Sequence, residues 1–463
     1  MAIANNTTIV EQLGDWAAGL GWGDLTNASR QALKARVLDS IGCAIGALSA
    51  EPIRFIRQLT ADMGGNPLVT LLGGGKGTPD QAAFFNGAAV RYLDFNDSYL
   101  AKGETCHPSD NVAPILAAAE YAGASGRNFL VALAIAYQVQ CRLSDIAPVR
   151  SRGFDHTVQG AYGAAAGAAH ALGLNAGQIA NAVAISGTSY NSLRVTRTGE
   201  LSNWKGLAYP NTARGAVQSA LLAKYGITGP REVFEGNKGF MDAIAGLFAI
   251  DWRKEDLERV TRTITKRYNA EIHSQSSIEG LLELRESSGL RPQEIARIKL
   301  ATFDVAFNII GGGEEGGKKQ IRRKEEADHS LPYMLAAAYI DGQLMPEQYL
   351  PERILRSDVQ ELLQKVDVRP EQQYSDLFPD EMACRMEVEA TDGRCFRIEK
   401  RDYHGFTTRP ADWDTLMVKY RGLTRAIDCD LAERIAETIS RLDQVQVADL
   451  TALLGQIKIK DGE

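Results

Sequence analysis

Apolar residues at helical spacing constrain this chain more than any other feature. Leu33, Val37, Leu38, Ile41, Ile45 and Leu48 form one stripe, and the helical spacing persists from residue 29 to about 260. At Thr78-Pro79-Asp80-Gln81, a capping threonine precedes proline at the first helical position and glutamine at the third. The helix so started is predicted to run to about Tyr92 and to deliver Asp94 at its end. Further helices are predicted over 110–123, 127–143, 158–172, 176–190, 210–224 and 231–247. Several are rich in Ala and Gly, as in Gly163 to Ala169, and small side chains let helix backbones approach closely.

The pattern breaks near residue 265. Residues 296–310 are rich in strand formers, Val366 to Val368 reads as a short strand, and 384–390 with 395–400 alternate around Asp392-Gly393, a hairpin signal. After Gly405 helical spacing returns near 411–420, 429–441 and 446–456. The expected architecture is a large all-α helical domain from 1–264 and 406–463, with a smaller α/β (α+β) domain inserted at 265–405. A chain of 463 residues is long enough for two cores.

A formal charge of −7 provides no global positive field for phosphate or anionic lipid, so neither a nucleic acid nor a membrane is an expected partner. The six cysteines, at 43, 106, 141, 384, 395 and 429, contain no CxxC pair and no metal-binding spacing, and read as reduced cytoplasmic thiols. The N-terminus lacks a basic region followed by an apolar core, and the run Phe129 to Tyr137 is shorter than a bilayer requires. Gly73 to Thr78 fails the P-loop spacing, and the glycines from 311 to 317 fail the dinucleotide fingerprint. No cofactor is expected.

Five polar segments can carry chemistry. Asp94-Phe95-Asn96-Asp97-Ser98-Tyr99 follows a helix end, and Cys106-His107-Pro108-Ser109 precedes the next helix. These side chains also suit plain structural work, with Asp97 and Ser109 capping turns and His107 packing on Pro108. A metal set of Asp94, Asp97 and His107 would match no recurrent ligand spacing. In Gly153-Phe154-Asp155-His156 the histidine stands before an Ala/Gly-rich helix, whose dipole disfavours its charged form. Arg194, Arg197 and Lys205 make a cationic loop of the kind that recognises carboxylates, or a solvated one. The last two segments are Lys266 to Gln275 and Ala327 to Tyr333.

Together these segments resemble the 2-methylcitrate dehydratase family, often called MmgE/PrpD, which also includes cis-aconitate decarboxylase and iminodisuccinate epimerase. The resemblance spans about residues 10 to 455. It rests on LDSIGCAIGA (38–47), YLDFNDSY (92–99), HPSDNVAPILAAAE (107–120), KRYNAEIHSQSSIEG (266–280) and ADHSLPYMLAAAYIDG (327–342). It implies a helical domain built from both chain ends, an inserted α/β domain, a cleft between them and a homodimer. It also implies a lyase acting on a small polycarboxylate without metal, with active-site positions Asp94, Ser98, His107, His156, Lys205, Lys266 and Tyr333.

Ser98 stands where the decarboxylase branch has threonine, and YNAEIHSQS is closer to the dehydratase branch. Dehydration requires a base at carbon, an acid for the leaving oxygen and cations for the developing charge. The expected roles pair Asp94 with His107, use His156 and Tyr333 as further proton-transfer groups, and place Lys205 and Lys266 on substrate carboxylates. Ser98, Arg194 and Arg197 are the expected substrate-binding residues. Decarboxylation of cis-aconitate and epimerisation of an imino-dicarboxylate remain open on the same residues.

Overall fold

The computed structural model describes residues 7–459 and divides into two compact units. The first comprises residues up to Val195, Gly206–Thr263 and Asp412 onward; the second comprises Thr196–Lys205 and Ile264–Ala411. The stretch 196–205, read from sequence as part of the helical body, falls with the second unit.

The first unit is helical. Its long elements include Asn27–Ala47, Pro79–Tyr92, Val112–Ala122, Gly126–Ile146, Thr157–Ala171, Ala176–Ser189 and most of Trp204–Lys224, joined late in the chain by Trp413–Leu423, Cys429–Ser440 and Val447–Leu454. The expected stripe on Asn27–Ala47 is buried, and Thr78 forms the capping box that starts Pro79–Tyr92. Glycine decides how closely Gly126–Ile146 and Thr157–Ala171 approach. A Cβ on Gly163 would lie 2.7 Å from the carbonyl oxygen of Ala136, and one on Gly167 would lie 2.7 Å from that of Ala132. The helix Gly126–Ile146, at 21 residues, is long and apolar enough to cross a membrane, a length not apparent from its short apolar run, and 83% of its apolar window is buried within the protein.

The second unit centres on a four-stranded sheet in the order Val366–Pro370, Ile295–Thr302, Cys384–Ala390, Cys395–Lys400. Ile298 pairs in parallel with Val366, Leu300 pairs antiparallel with Met386, and Val388 pairs with Phe396. Cys384–Ala390 buries every second side chain, as its alternation predicts. The expected hairpin turn is present, with Gly393 at φ 90° donating its N–H to Ala390. Leu281, Leu300, Met334, Leu335, Leu363 and Met386 belong to its core.

Three predicted elements differ. Residues 231–247 are turns ending in one π-helical turn, Met241–Ala245, because Gly236 and Gly239 punctuate the segment while Phe234 and Phe240 pack on Tyr162 at ring distances of 4.8 and 5.1 Å. The strand predicted to reach 310 stops at Thr302, and Asp304–Gly311 is helical with Ile309 and Ile310 buried; burial of these β-formers was available to either conformation. The helix predicted at 210 begins at Trp204 and contains Pro210.

Candidate active site

The turn after Pro79–Tyr92 is held by Arg91, which is buried with its acceptors. Its Nη1 lies 2.7 Å from Asp94 Oδ1 and 3.4 Å from Asn96 Oδ1, and its Nε lies 3.5 Å from Asp110 Oδ2. Asn96 Nδ2 donates to Ser109 Oγ at 2.9 Å and to Asp110 Oδ1 at 2.8 Å, tying both ends of the loop together. Asp94 adopts φ 54°, in the left-handed region that non-glycine residues rarely enter. Between the ends, Tyr99–Ala101 and Glu104–Cys106 form a short antiparallel hairpin that sequence spacing did not reveal.

Asp97 is fully enclosed. Ser109 N donates to Oδ1 at 3.0 Å, Tyr137 Oη donates to Oδ2 at 3.0 Å, and Arg36 Nε lies 3.5 Å from Oδ2. Burial nevertheless pushes the Asp97 carboxyl above its ordinary range, with Arg36 opposing. These contacts make Asp97 the anchor of the loop, as its capping role anticipated.

The main chain of Asp97 places His107. Its carbonyl oxygen lies 2.9 Å from His107 Nδ1, and Ser98 Oγ lies 3.0 Å from the same nitrogen. A carbonyl only accepts, so this contact puts the proton on Nδ1 and leaves Nε2 as the basic nitrogen of the neutral ring. Both Ser98 and His107 are buried. The Asp97 carbonyl therefore orients the ring through Nδ1, while Asp94 Oδ1 is ion-paired with Arg91.

His156 stands immediately before the helix Thr157–Ala171, as predicted, and its ring meets that of His107 edge to face with centroids 5.3 Å apart. A carboxylate missed as a partner adjoins it: Asp155 Oδ1 lies 3.2 Å from His156 Nδ1. Arg194 Nη1 stands 3.6 Å from Asp155 Oδ2. The main chain reinforces this, since Asp155 N donates to Ser192 O and Arg194 N donates to Gly153 O, each at 2.9 Å. Arg194 is thus placed beside the carboxylate that supports His156.

In the second unit Lys205 and Lys266 lie among buried polar groups. Lys205 donates to Asp328 Oδ1, Lys324 Nζ lies 2.8 Å from Oδ2, and His329 Nδ1 lies 2.9 Å from Oδ1. Burial alone would raise the Asp328 carboxyl, but Lys205 and Lys324 outweigh it and hold the group far below the usual range. Glu271 Oε1 lies 2.7 Å from His273 Nδ1. Burial opposes the charge on Glu271, yet His273, His329 and Lys266 bring its carboxyl down to about 2. Lys266 and Arg197 are both buried. Tyr333 is placed differently: its ring packs near Tyr349 in the core, its hydroxyl donates to the Gln348 carbonyl, and burial raises its pKa.

Asp155, Glu271, His273, Asp328 and His329 were not singled out by sequence. Each adjoins or lies within a segment that was, which is the signal that could have found them.

Residues 11–253 match the MmgE/PrpD N-terminal domain and residues 268–444 match the MmgE/PrpD C-terminal domain. Among named relatives, cis-aconitate decarboxylase of Mus musculus is 24% identical, covering 98% of this chain and 95% of its own. The 2-methylcitrate dehydratase of Escherichia coli K12 is 29% identical over 80% of this chain and 81% of its own. Cis-aconitate decarboxylase of Homo sapiens is 25% identical over 96% and 94%. These relatives support enzyme activity in general. With both domain models matched in order over most of its length, the chain belongs to the MmgE/PrpD family.

Proposed function

We propose that this protein is a hydro-lyase that removes water from a small β-hydroxy polycarboxylate of the 2-methylcitrate or citrate type. The observation that carries this reading is the pair of buried imidazoles, His107 and His156, with ring centroids 5.3 Å apart and each Nδ1 facing an oxygen acceptor. The two rings differ in support. His107 rests on a neutral carbonyl, which suits a base that accepts at Nε2. His156 rests on the carboxylate of Asp155, which stabilises a charged ring and suits an acid.

In the proposed step His107 Nε2 takes the proton from the carbon beside a substrate carboxylate. The C–H electron pair becomes the new carbon–carbon π bond, the C–O bond of the neighbouring carbon breaks, and His156 protonates the departing oxygen to give water. Lys205 and Lys266 are assigned to the substrate carboxylates, a role supported by their positive charge and by the resemblance of their segments to the family motifs. Ser98, by the resemblance of its segment, and Arg197, by its positive charge, are retained as substrate-binding groups.

A second reading, decarboxylation of cis-aconitate, is favoured by one observation: the decarboxylase relatives cover 98% and 96% of this chain, against 80% for the Escherichia coli K12 dehydratase. Purified protein incubated with 2-methylcitrate, citrate, cis-aconitate and iminodisuccinate separates the possibilities. Growth of alkene absorbance from a hydroxy acid without carbon dioxide supports dehydration. Carbon dioxide released from cis-aconitate without hydration products replaces it with decarboxylation, and loss of optical activity from the imino acid alone replaces it with epimerisation.

A further inference from the structure

Asp328 lies at the centre of the second unit's polar cluster, and its geometry is that of a distributor. It is wholly buried, and a carboxylate only accepts hydrogen bonds. Oδ1 receives the Lys205 ammonium and faces His329 Nδ1 at 2.9 Å, while Oδ2 receives Lys324 at 2.8 Å. Three donors from three places in the chain thus converge on one anion. Lys205 comes from the segment 196–205, Lys324 from the short helix Lys324–Ala327, and His329 from the turn before Leu331–Asp341.

The segment carrying Lys205 is tied to the same region at two further points. Asn203 Nδ2 donates to Glu325 Oε1 at 2.8 Å, and Arg323 Nη2 lies 2.5 Å from Glu200 Oε1. Both tethers are exposed and worth little individually. The Asp328 contact is enclosed, and a lysine on four rotatable bonds gains a fixed position only from such an anchor.

We propose that Asp328 is the positioning residue of the substrate-carboxylate locus: it fixes the ammonium of Lys205 at one point. This inference rests on the functional reading above, since it assumes that Lys205 meets a substrate carboxylate. It adds Asp328 as the group acting through Lys205.

The test is a double-mutant cycle in the full chain, using Asp328→Asn, Lys205→Met and the double variant, with kcat and KM measured on whichever polycarboxylate the wild type turns over. Each single change is expected to lower kcat/KM about 100-fold, mostly through KM, and the double variant to be within about threefold of the worse single. Independent roles would instead multiply to about 10⁴-fold. A multiplicative double variant, or Asp328→Asn with wild-type parameters, overturns the proposal.

If Asp328→Asn does not fold, Lys205→Arg decides. A fixed point for a compact ammonium is not reproduced by a planar guanidinium, so at least about a tenfold rise in KM is expected despite the retained charge. A wild-type KM in Lys205→Arg overturns the proposal. A wild type that turns over no polycarboxylate overturns the functional reading and this inference with it, a result distinct from an active wild type whose variants fail to couple.

Discussion

His107 and His156 meet edge to face, their ring centroids 5.3 Å apart, inside a unit where both are buried. Two imidazolium charges at that separation repel by on the order of 3 kcal/mol at an effective dielectric near 20. Asp155 Oδ1 lies 3.2 Å from His156 Nδ1, whereas His107 Nδ1 faces the Asp97 carbonyl oxygen at 2.9 Å.

Replacing His107 with Gln is expected to reduce turnover by about 10²- to 10⁴-fold while circular dichroism and thermal unfolding stay those of the parent. Asp155→Asn is expected to cost about 100-fold by weakening the orientation and charge of His156. Near-normal activity in folded His107→Gln, or in folded Asp155→Asn, contradicts the division of roles.

Arg91 holds Asp94 and Asp110, and all three side chains are buried. Arg91→Met leaves two buried carboxylates without their guanidinium and is expected to cost about 3–5 kcal/mol in urea unfolding. Lysine at this position offers one compact charge instead of a fork and should recover only part of the loss. A cost for Arg91→Met below about 1 kcal/mol would show that solvent reaches the loop.

Two glycines should respond to alanine with opposite sign. At Gly167 the new methyl meets Ala132 O and Ile115 Cδ1, each at 2.7 Å, and a loss of about 1–3 kcal/mol is expected from overpacking. At Gly177, in the first turn of Ala176–Ser189, the nearest atom is Asn175 Oδ1 at 3.6 Å, so helix propensity governs and a gain of about 0.5–1 kcal/mol is expected. Denaturant midpoints of the two variants, compared with the parent, test the pair directly.

Glu271 sets a pH dependence. Its folded-state pKa is depressed from 4.5 to about 2, so its contribution is fully present above the unfolded value and is lost as pH falls toward the folded one. The full difference corresponds to about 3 kcal/mol. In Glu271→Gln the fall in stability between about pH 5 and pH 3 should be shallower than in the parent. Parallel slopes in the two proteins over that interval would exclude Glu271 from the acid response.

Features set by local periodicity were legible before any coordinates. The stripe from Leu33 to Leu48, the Thr78 capping box and the Asp392-Gly393 hairpin each depend on residues within one or two turns of one another. Residues 231–247 misled because their apolar side chains have helical spacing, yet the aromatic packing on Tyr162 lies outside any local window. The site was legible as segments but not as partnerships. His107 and His156 stood out as loop histidines, whereas the Asp97 carbonyl as the group that orients His107 is a main-chain contact with no residue signature. Asp328 was unremarkable in sequence because its meaning comes from Lys205, 123 positions away.

Asp94 holds a left-handed backbone conformation, at φ 54°, that glycine would enter without steric cost. Anyone redesigning this chain for hardiness would be drawn to glycine there, and would lose the anion 2.7 Å from the Arg91 guanidinium. Position 94 is therefore a place where directed selection for heat tolerance and selection for turnover are expected to pull toward different amino acids, which makes it an early marker of which pressure a laboratory lineage has experienced.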